Sequence, residues 1–378
     1  MQNLTIHFPG KLVLGNRCLE QLAGEIDLPK VLIITIPPLL PALKGFLAQL
    51  EQRQIKVSID TGIVQEPSFA DLGSLLERVA PFDPDVVVGI GGGSVLDIAK
   101  LVAAQLGNEQ QLRDYVGNGL LKGRRKKLIC LPATAGTGSE VSPNAILVDE
   151  TDNAKKGIIS PYLVPDVVYV DPLLTMSLPS SITAATGLDA FTHCLEAYTN
   201  KFAHPFIDLY AYEGMRLIAG SLVQAVKNGE DEAARSDVAL GSLLGGFCLG
   251  PVNTAAVHAL SYPLGSRFHL AHGLSNALLL PYVMEFNLPA APARYAAVAQ
   301  AIGCPREKDD TATALAGLQR VRELIRDCGI PSRLREVDIP ASAIGEMAAA
   351  AMEITRLLKN NPRVVTIEDA VAIYEAAY

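Results

Sequence analysis

The stretch Asp85-Val-Val-Val-Gly-Ile-Gly-Gly-Gly-Ser-Val-Leu-Asp-Ile-Ala-Lys100 decides the fold. Its first half is a short run of β-branched residues, which reads as a strand covered on both faces. Three consecutive glycines follow, and then the opening of a helix. Glycines let the backbone approach a ligand closely, and a helix amino terminus offers unpaired N–H groups and a positive dipole end. The combination suits a pyrophosphate.

Working outward, residues 31–35, 56–59, 128–131 and 167–170 read as further strands, most of them continuously apolar. Residues 39–54 and 69–79 carry apolar positions three and four apart, as helices do. The first half is therefore predicted to be an α/β domain built on a parallel sheet. The strand at 128–131 ends in Pro132-Ala-Thr-Ala-Gly-Thr-Gly-Ser-Glu140, a second loop of small and hydroxyl residues. In open α/β sheets ligands bind beyond the carboxyl ends of the strands, so two such loops point to one dinucleotide site. The GxGxxG signature after the first strand is absent, because that strand runs into Ile36-Pro37-Pro38.

Beyond Asp171-Pro172 the strand signals fade. Segments 213–226, 234–249 and 311–328, with Ala-rich patches at 290–302 and 346–351, predict an all-helical second domain. The expected boundary lies near residue 180, giving domains 1–180 and 181–378. At 378 residues, 49% hydrophobic and 19% charged, the chain is long enough for two cores.

Composition excludes several functions. A net charge of -8 gives no footprint for nucleic acid, and the basic run at 122–127 reads as a solvated loop. The longest apolar stretch, 31–43, is broken by Thr35 and three prolines, so no membrane span is expected. The amino terminus has neither a basic nor an apolar signal region, and six scattered cysteines form no CxxC pair. A cytoplasmic protein with reduced thiols is expected.

Asp189 and His193 stand four apart in Thr186-Gly-Leu-Asp-Ala-Phe-Thr-His-Cys-Leu-Glu196, one helical turn from each other on one face. His258 and His272 follow on either side of an expected turn at Pro263-Leu-Gly265. One carboxylate and three imidazoles suit a borderline divalent ion, Fe(II) or Zn(II), with a position left for substrate. His7 and His204 read as structural or exposed, and His269 as a rim residue.

At these residues the chain resembles the iron-containing (group III) alcohol dehydrogenases, whose fold is shared with dehydroquinate synthase. Gly91-Gly-Gly-Ser-Val-Leu-Asp-Ile-Ala-Lys100 is similar to the family's GGGSxxDxAK, Ala133 to Glu140 to its TTAGTGSE, and Arg356-Leu-Leu-Lys-Asn-Asn-Pro-Arg363 to its NNPR segment. The resemblance implies a dehydroquinate synthase-like fold and metal ligands Asp189, His193, His258 and His272. It further implies NAD or NADP held by Gly92, Gly93, Ser94, Asp97, Thr134, Thr137, Asn144 and Lys156, with Leu178 near the nicotinamide. A homodimer or larger homo-oligomer acting on a small alcohol or carbonyl compound follows from the same likeness.

Two positions depart from the pattern. Ile36 stands where an NAD-preferring member often carries Asp, which leaves NADP open. Tyr262 stands where many members have another histidine, and a tyrosine there resembles the hydroxyacid-oxoacid transhydrogenases. That branch is the nearest alternative, followed by a lyase of the dehydroquinate synthase type and a nucleotide-binding protein without catalysis. For a dehydrogenase, the ion supplies what no side-chain base can, lowering the pKa of a bound oxygen from ~16 to about 7. His258, His272 and Tyr262 are the expected catalytic set, with Tyr262 as a proton relay and Arg267 as a candidate anchor for a substrate carboxylate.

Overall fold

The computed structural model describes residues 3–63, 66–151 and 154–378. The chain divides into two compact units, one of residues 6–177 and one of residues 178–378 together with the amino-terminal residues up to Thr5.

In the first unit the strands are β1 (Lys11–Leu14), β2 (Lys30–Ile34), β3 (Lys56–Asp60), β4 (Val86–Gly91), β5 (Gly117–Asn118), β6 (Lys127–Pro132), β7 (Asn144–Asp149), β8 (Ala154–Ile159) and β9 (Val167–Val170). Its helices are α1 (Lys44–Gln52), α2 (Phe69–Val79) and α3 (Gly93–Gln105). Six strands form one parallel sheet in the order β1-β9-β6-β4-β2-β3. Both faces of its central strands are buried, by Leu32, Val87 and Leu128 on one side and Val31, Val88 and Ile129 on the other. This double burial is why those strands read as continuous apolar runs.

Three strands carry weaker signals and escape the sequence reading. β5, β8 and β7 form a small separate sheet, with β7 and β8 antiparallel. β8 reads Ala-Lys-Lys-Gly-Ile-Ile, too polar to register as a strand. The edge strand β1 is missed for a different reason, because its four residues are largely exposed. The basic run departs from expectation too. Arg124 is largely covered, forks onto Asp166 at 2.7 and 3.0 Å, and donates to the carbonyls of Lys126, Tyr162 and Val164. It is a clasp, not a solvated charge.

β4 and β6 pair in register from Val86–Lys127 to Gly91–Pro132, so the two loops that follow leave the sheet side by side. Gly89 lets α3 lie close on β4, since a Cβ there would meet Ala99 Cβ at 2.6 Å. Lys100, fully buried on α3, then ties the second loop to the first. Its ammonium donates to Ser139 Oγ at 2.8 Å, Ser142 O at 3.0 Å and Asn144 O at 2.8 Å, which uses all three of its protons.

The second unit holds α4 (Ser180–Thr199), α5 (Pro205–Lys227), α6 (Glu232–Leu249), α7 (Ala256–Phe268), α8 (His272–Asn287), α9 (Pro292–Ala301), α10 (Asp310–Asp327), α11 (Ile344–Met352), α12 (Thr355–Leu358) and α13 (Ile367–Ala377). The segment at 263–265 is not a turn. α7 runs through Pro263 to Phe268, and the chain reverses at His269, whose φ of 54° is left-handed. α4 is enclosed by α5, α6 and α8, and every residue from 187 to 197 is buried. Such a helix carries its polar residues into the interior.

Replacing Lys100 by Met should strip three buried acceptors of their donor. We expect a loss of about 3 kcal/mol of stability, read as a lowered midpoint in thermal or urea unfolding, with Lys100→Arg intermediate.

Candidate metal and dinucleotide sites

Asp189, His193 and Glu196 follow one another at i, i+4 and i+7 on α4, a single stripe facing α7 and α8. A carboxylate in such a place costs free energy unless it is paired. Glycine at 273 brings α8 hard against α4, because a Cβ there would sit 2.4 Å from the Ala185 carbonyl oxygen. His272 and Asp189 are thereby held within reach of each other.

Asp189 Oδ1 lies 3.7 Å from His193 Nε2, 3.6 Å from His258 Nε2 and 3.7 Å from His272 Nε2. Atoms bound tetrahedrally to one ion by ~2.1 Å bonds stand about 3.4 Å apart, so these spacings fit a single divalent cation. The tightest group is Asp189, His258 and His272, with donor atoms within 4.8 Å of one another. His193 joins it through Asp189 and by stacking on the His258 ring at 4.8 Å between centroids.

The surroundings favour positive charge. Burial opposes ionisation of His258, yet the Glu196 and Asp189 carboxylates raise its pKa to about 10. Burial likewise opposes a charged Asp189, but the imidazoles of His193, His272 and His258 hold its carboxyl far below the ordinary range. A field that draws protons to these rings draws a cation to their lone pairs. Asn276, on α8 four residues after His272, points its Nδ2 at Asp189 Oδ1 (2.7 Å), His258 Nε2 (3.1 Å) and His272 Nε2 (3.3 Å). Its buried Oδ1 has no partner, and turning the amide by 180° presents that oxygen to the same point.

Glu196 is the residue the sequence reading missed. Its Oε2 lies 2.6 Å from His258 Nδ1, and its Oε1 accepts from the Val257 N–H at 2.6 Å. A carboxylate on the far ring nitrogen fixes the imidazole's tautomer and directs Nε2 toward the ion. The i, i+4, i+7 spacing in an otherwise apolar helix was the available signal.

The other expected residues fall as follows. Tyr262 is half-buried with its ring 6.0 Å from that of His272, and its hydroxyl accepts from Arg356. Arg267 is exposed and spent on Glu346 at 2.5 Å. His269 is exposed, as is His7, whereas His204 is buried and caps α5 by accepting from the Phe206 N–H at 3.2 Å.

In the α/β unit α3 begins at Gly93 with no side-chain cap, so its first N–H groups face outward from the sheet's carboxyl edge. Within 91–100 the incompletely covered residues are Gly92, Gly93, Ser94 and Asp97. Gly93 is fitted against the second loop, since a Cβ would meet Thr137 Cγ2 at 2.6 Å, and one on Gly92 would meet Thr134 Cγ2 at 3.3 Å. Thr134, Thr137, Asn144 and Lys156 are all half-buried, and Asn144 Oδ1 lacks a hydrogen-bond partner. Asp97 accepts from Ser139 Oγ at 2.5 Å and from the Ile146 N–H at 3.0 Å, joining α3 to the second loop and to β7. Leu178 is half-buried just ahead of α4.

Glu196→Gln keeps the side chain's size and removes its charge. We expect metal affinity to fall by about 10–100-fold, measured by competition with a chromogenic chelator, with the helical content unchanged.

Residues 9–172 match the family described as iron-containing alcohol dehydrogenase, and residues 183–378 match its carboxyl-terminal counterpart. Long-chain-alcohol dehydrogenase 1 of Geobacillus thermodenitrificans is 37% identical over 99% of this chain and 96% of its own length. A solved 1,3-propanediol oxidoreductase superposes with a TM-score of 0.96 at 31% identity, covering all of both chains. The sulfoacetaldehyde reductase of Bifidobacterium kashiwanohense, solved with NAD+, gives 0.89 at 26% identity over 100% of this chain and 99% of that one. The chain belongs to the iron-containing alcohol dehydrogenase family, and its reaction is NAD(P)-dependent hydride transfer between an alcohol and its carbonyl counterpart.

Proposed function

We propose that Asp189, His193, His258 and His272 hold the divalent ion, Fe(II) or Zn(II), and that a small alcohol or aldehyde reacts there. The observation that carries this reading is the set of 3.6–3.7 Å spacings around Asp189 Oδ1. When bound, the ion supplies Lewis acidity to the substrate oxygen, and NAD(P) supplies or accepts the hydride. The chain's own residues do the rest.

Glu196 holds the His258 ring in one tautomer, and Gly273 fixes the approach of α8 to α4. Gly92, Gly93 and Ser94 offer the uncapped N–H groups of α3 to the pyrophosphate, with Thr134, Thr137, Asn144 and Lys156 lining the remainder. Asp97 acts at one remove, positioning the second loop. Leu178 packs by the nicotinamide. Ile36, half-buried at the end of β2, has neither the carboxylate that would repel a 2′-phosphate nor an acceptor for a 2′-hydroxyl, which supports use of both NAD and NADP. Tyr262 stands beside His272 with a hydroxyl able to take or release a proton. Free thiols at all six cysteines suit a cytoplasmic location, and a homodimer or larger homo-oligomer belongs to the same reading.

The test is to strip the protein with a chelator and reload it with Fe(II) or Zn(II). Alcohols, diols and aldehydes are then assayed with NAD and NADP. Turnover should vanish and return with the metal, and Asp189→Asn should lose metal by elemental analysis as well as activity. Reduction of free NAD(P) without an oxoacid acceptor separates a dehydrogenase from a transhydrogenase. A stripped enzyme that works at full rate would refute the assignment.

A further inference from the structure

We propose that Arg356 recognises an anionic group on the substrate, so that the preferred compounds are short aldehydes or alcohols carrying a carboxylate or sulfonate tail. The inference deepens the proposed function and rests on it. It begins with where Arg356 stands. Its Nη2 donates to the Tyr262 hydroxyl at 3.0 Å, and its Cζ lies 5.8 Å from the centre of that ring, which in turn stands 6.0 Å from the His272 ring. Tyr262 thus stands between the exposed guanidinium and the cluster around Asp189, and a short carbon chain with an anionic end is proposed to span the two.

The backbone that follows Arg356 is held in place by its own contacts. Asn360 donates from its side chain to the Thr254 carbonyl at 2.8 Å and accepts from the Lys201 N–H at 2.8 Å. Asn361 exchanges hydrogen bonds with Asn287 at 2.8 and 2.7 Å, and Arg363 donates to the Phe286 carbonyl at 2.9 Å. Leu357 is buried as α12 packs on α7. The asparagine-asparagine-proline-arginine segment is therefore a clamp, and what it presents is Arg356.

Its charge is not cancelled. Among the described residues no carboxylate pairs with Arg356, whereas Arg267, on the same α7 that carries Tyr262, is neutralised by Glu346. Of a guanidinium's five N–H groups one goes to Tyr262, and the planar fork that remains matches a carboxylate or sulfonate edge. In a chain of net charge -8, an unneutralised cation beside the site is what an anionic substrate needs.

The experiment uses the metal-loaded enzyme with propanal and its 3-carboxylated and 3-sulfonated counterparts. For wild type the ratio of kcat/KM, charged over neutral, should exceed one. Arg356→Gln should lower it by about 10–100-fold, chiefly through KM, and Arg356→Lys should restore part of it. Arg267→Gln, the control, should leave the ratio unaltered. Inhibition by propane-1-sulfonate should weaken in Arg356→Gln and, for wild type, with rising salt. Turnover of propanal with a ratio that Arg356→Gln leaves unchanged, or that Arg267→Gln lowers equally, would overturn this proposal and leave the dehydrogenase standing. No turnover of any aldehyde by loaded enzyme would overturn both.

Discussion

The structure of the helical unit turns on one buried carboxylate. Asp189 sits in the middle of a helix enclosed on all sides, where an ionised group survives only in the company of opposite charge. Three imidazoles converge on one of its oxygens, and a second buried acid, Glu196, orients one of those rings from behind. Two ionised acids in an apolar interior call for positive charge beside them, which protonated imidazoles or a bound cation would supply. The packing of α8 against α4, made possible by the absent side chain at position 273, is what keeps these groups together.

Much of this was legible in the residues. Val86, Val87 and Val88 before three glycines marked β4 and the start of α3, since double burial and close backbone approach leave strong traces in composition. Asp189 and His193 showed themselves by a one-turn spacing. Glu196 did not, because a glutamate near the end of a helical run reads as a surface residue until its neighbours are known to be buried. The strand β8 hid for a related reason: although it is the middle strand of its small sheet, Lys155 and Lys156 lie beyond the reach of the two-residue β5, and from sequence alone they give it the composition of a loop. Pro263 misled in the opposite direction, as a helix with enough packing around it absorbs a missing hydrogen bond.

The glycine-rich and threonine-rich runs also divide by role once contacts are seen. Within the glycine run's continuation, Asp97 and Lys100 stitch α3 to residues 139–146 from inside. The second loop's serine and the carbonyls beyond it are the other half of that stitching. Short-range spacing identifies which residues belong together but not which of them face solvent, and the inward members here serve the outward ones.

The contact at Gly273 has a consequence for which ions the bundle accepts. With the Ala185 carbonyl already where a methyl group would stand, α8 has no room to slide toward α4, and buried packing on its other side resists movement away. An ion held by these residues would meet a stiff sphere suited to bonds of ~2.1 Å, whereas calcium, with bonds of about 2.3–2.6 Å and a taste for six or more oxygens, would find it too small and too rich in nitrogen. Discrimination would thus rest on a backbone contact as well as on the ligands.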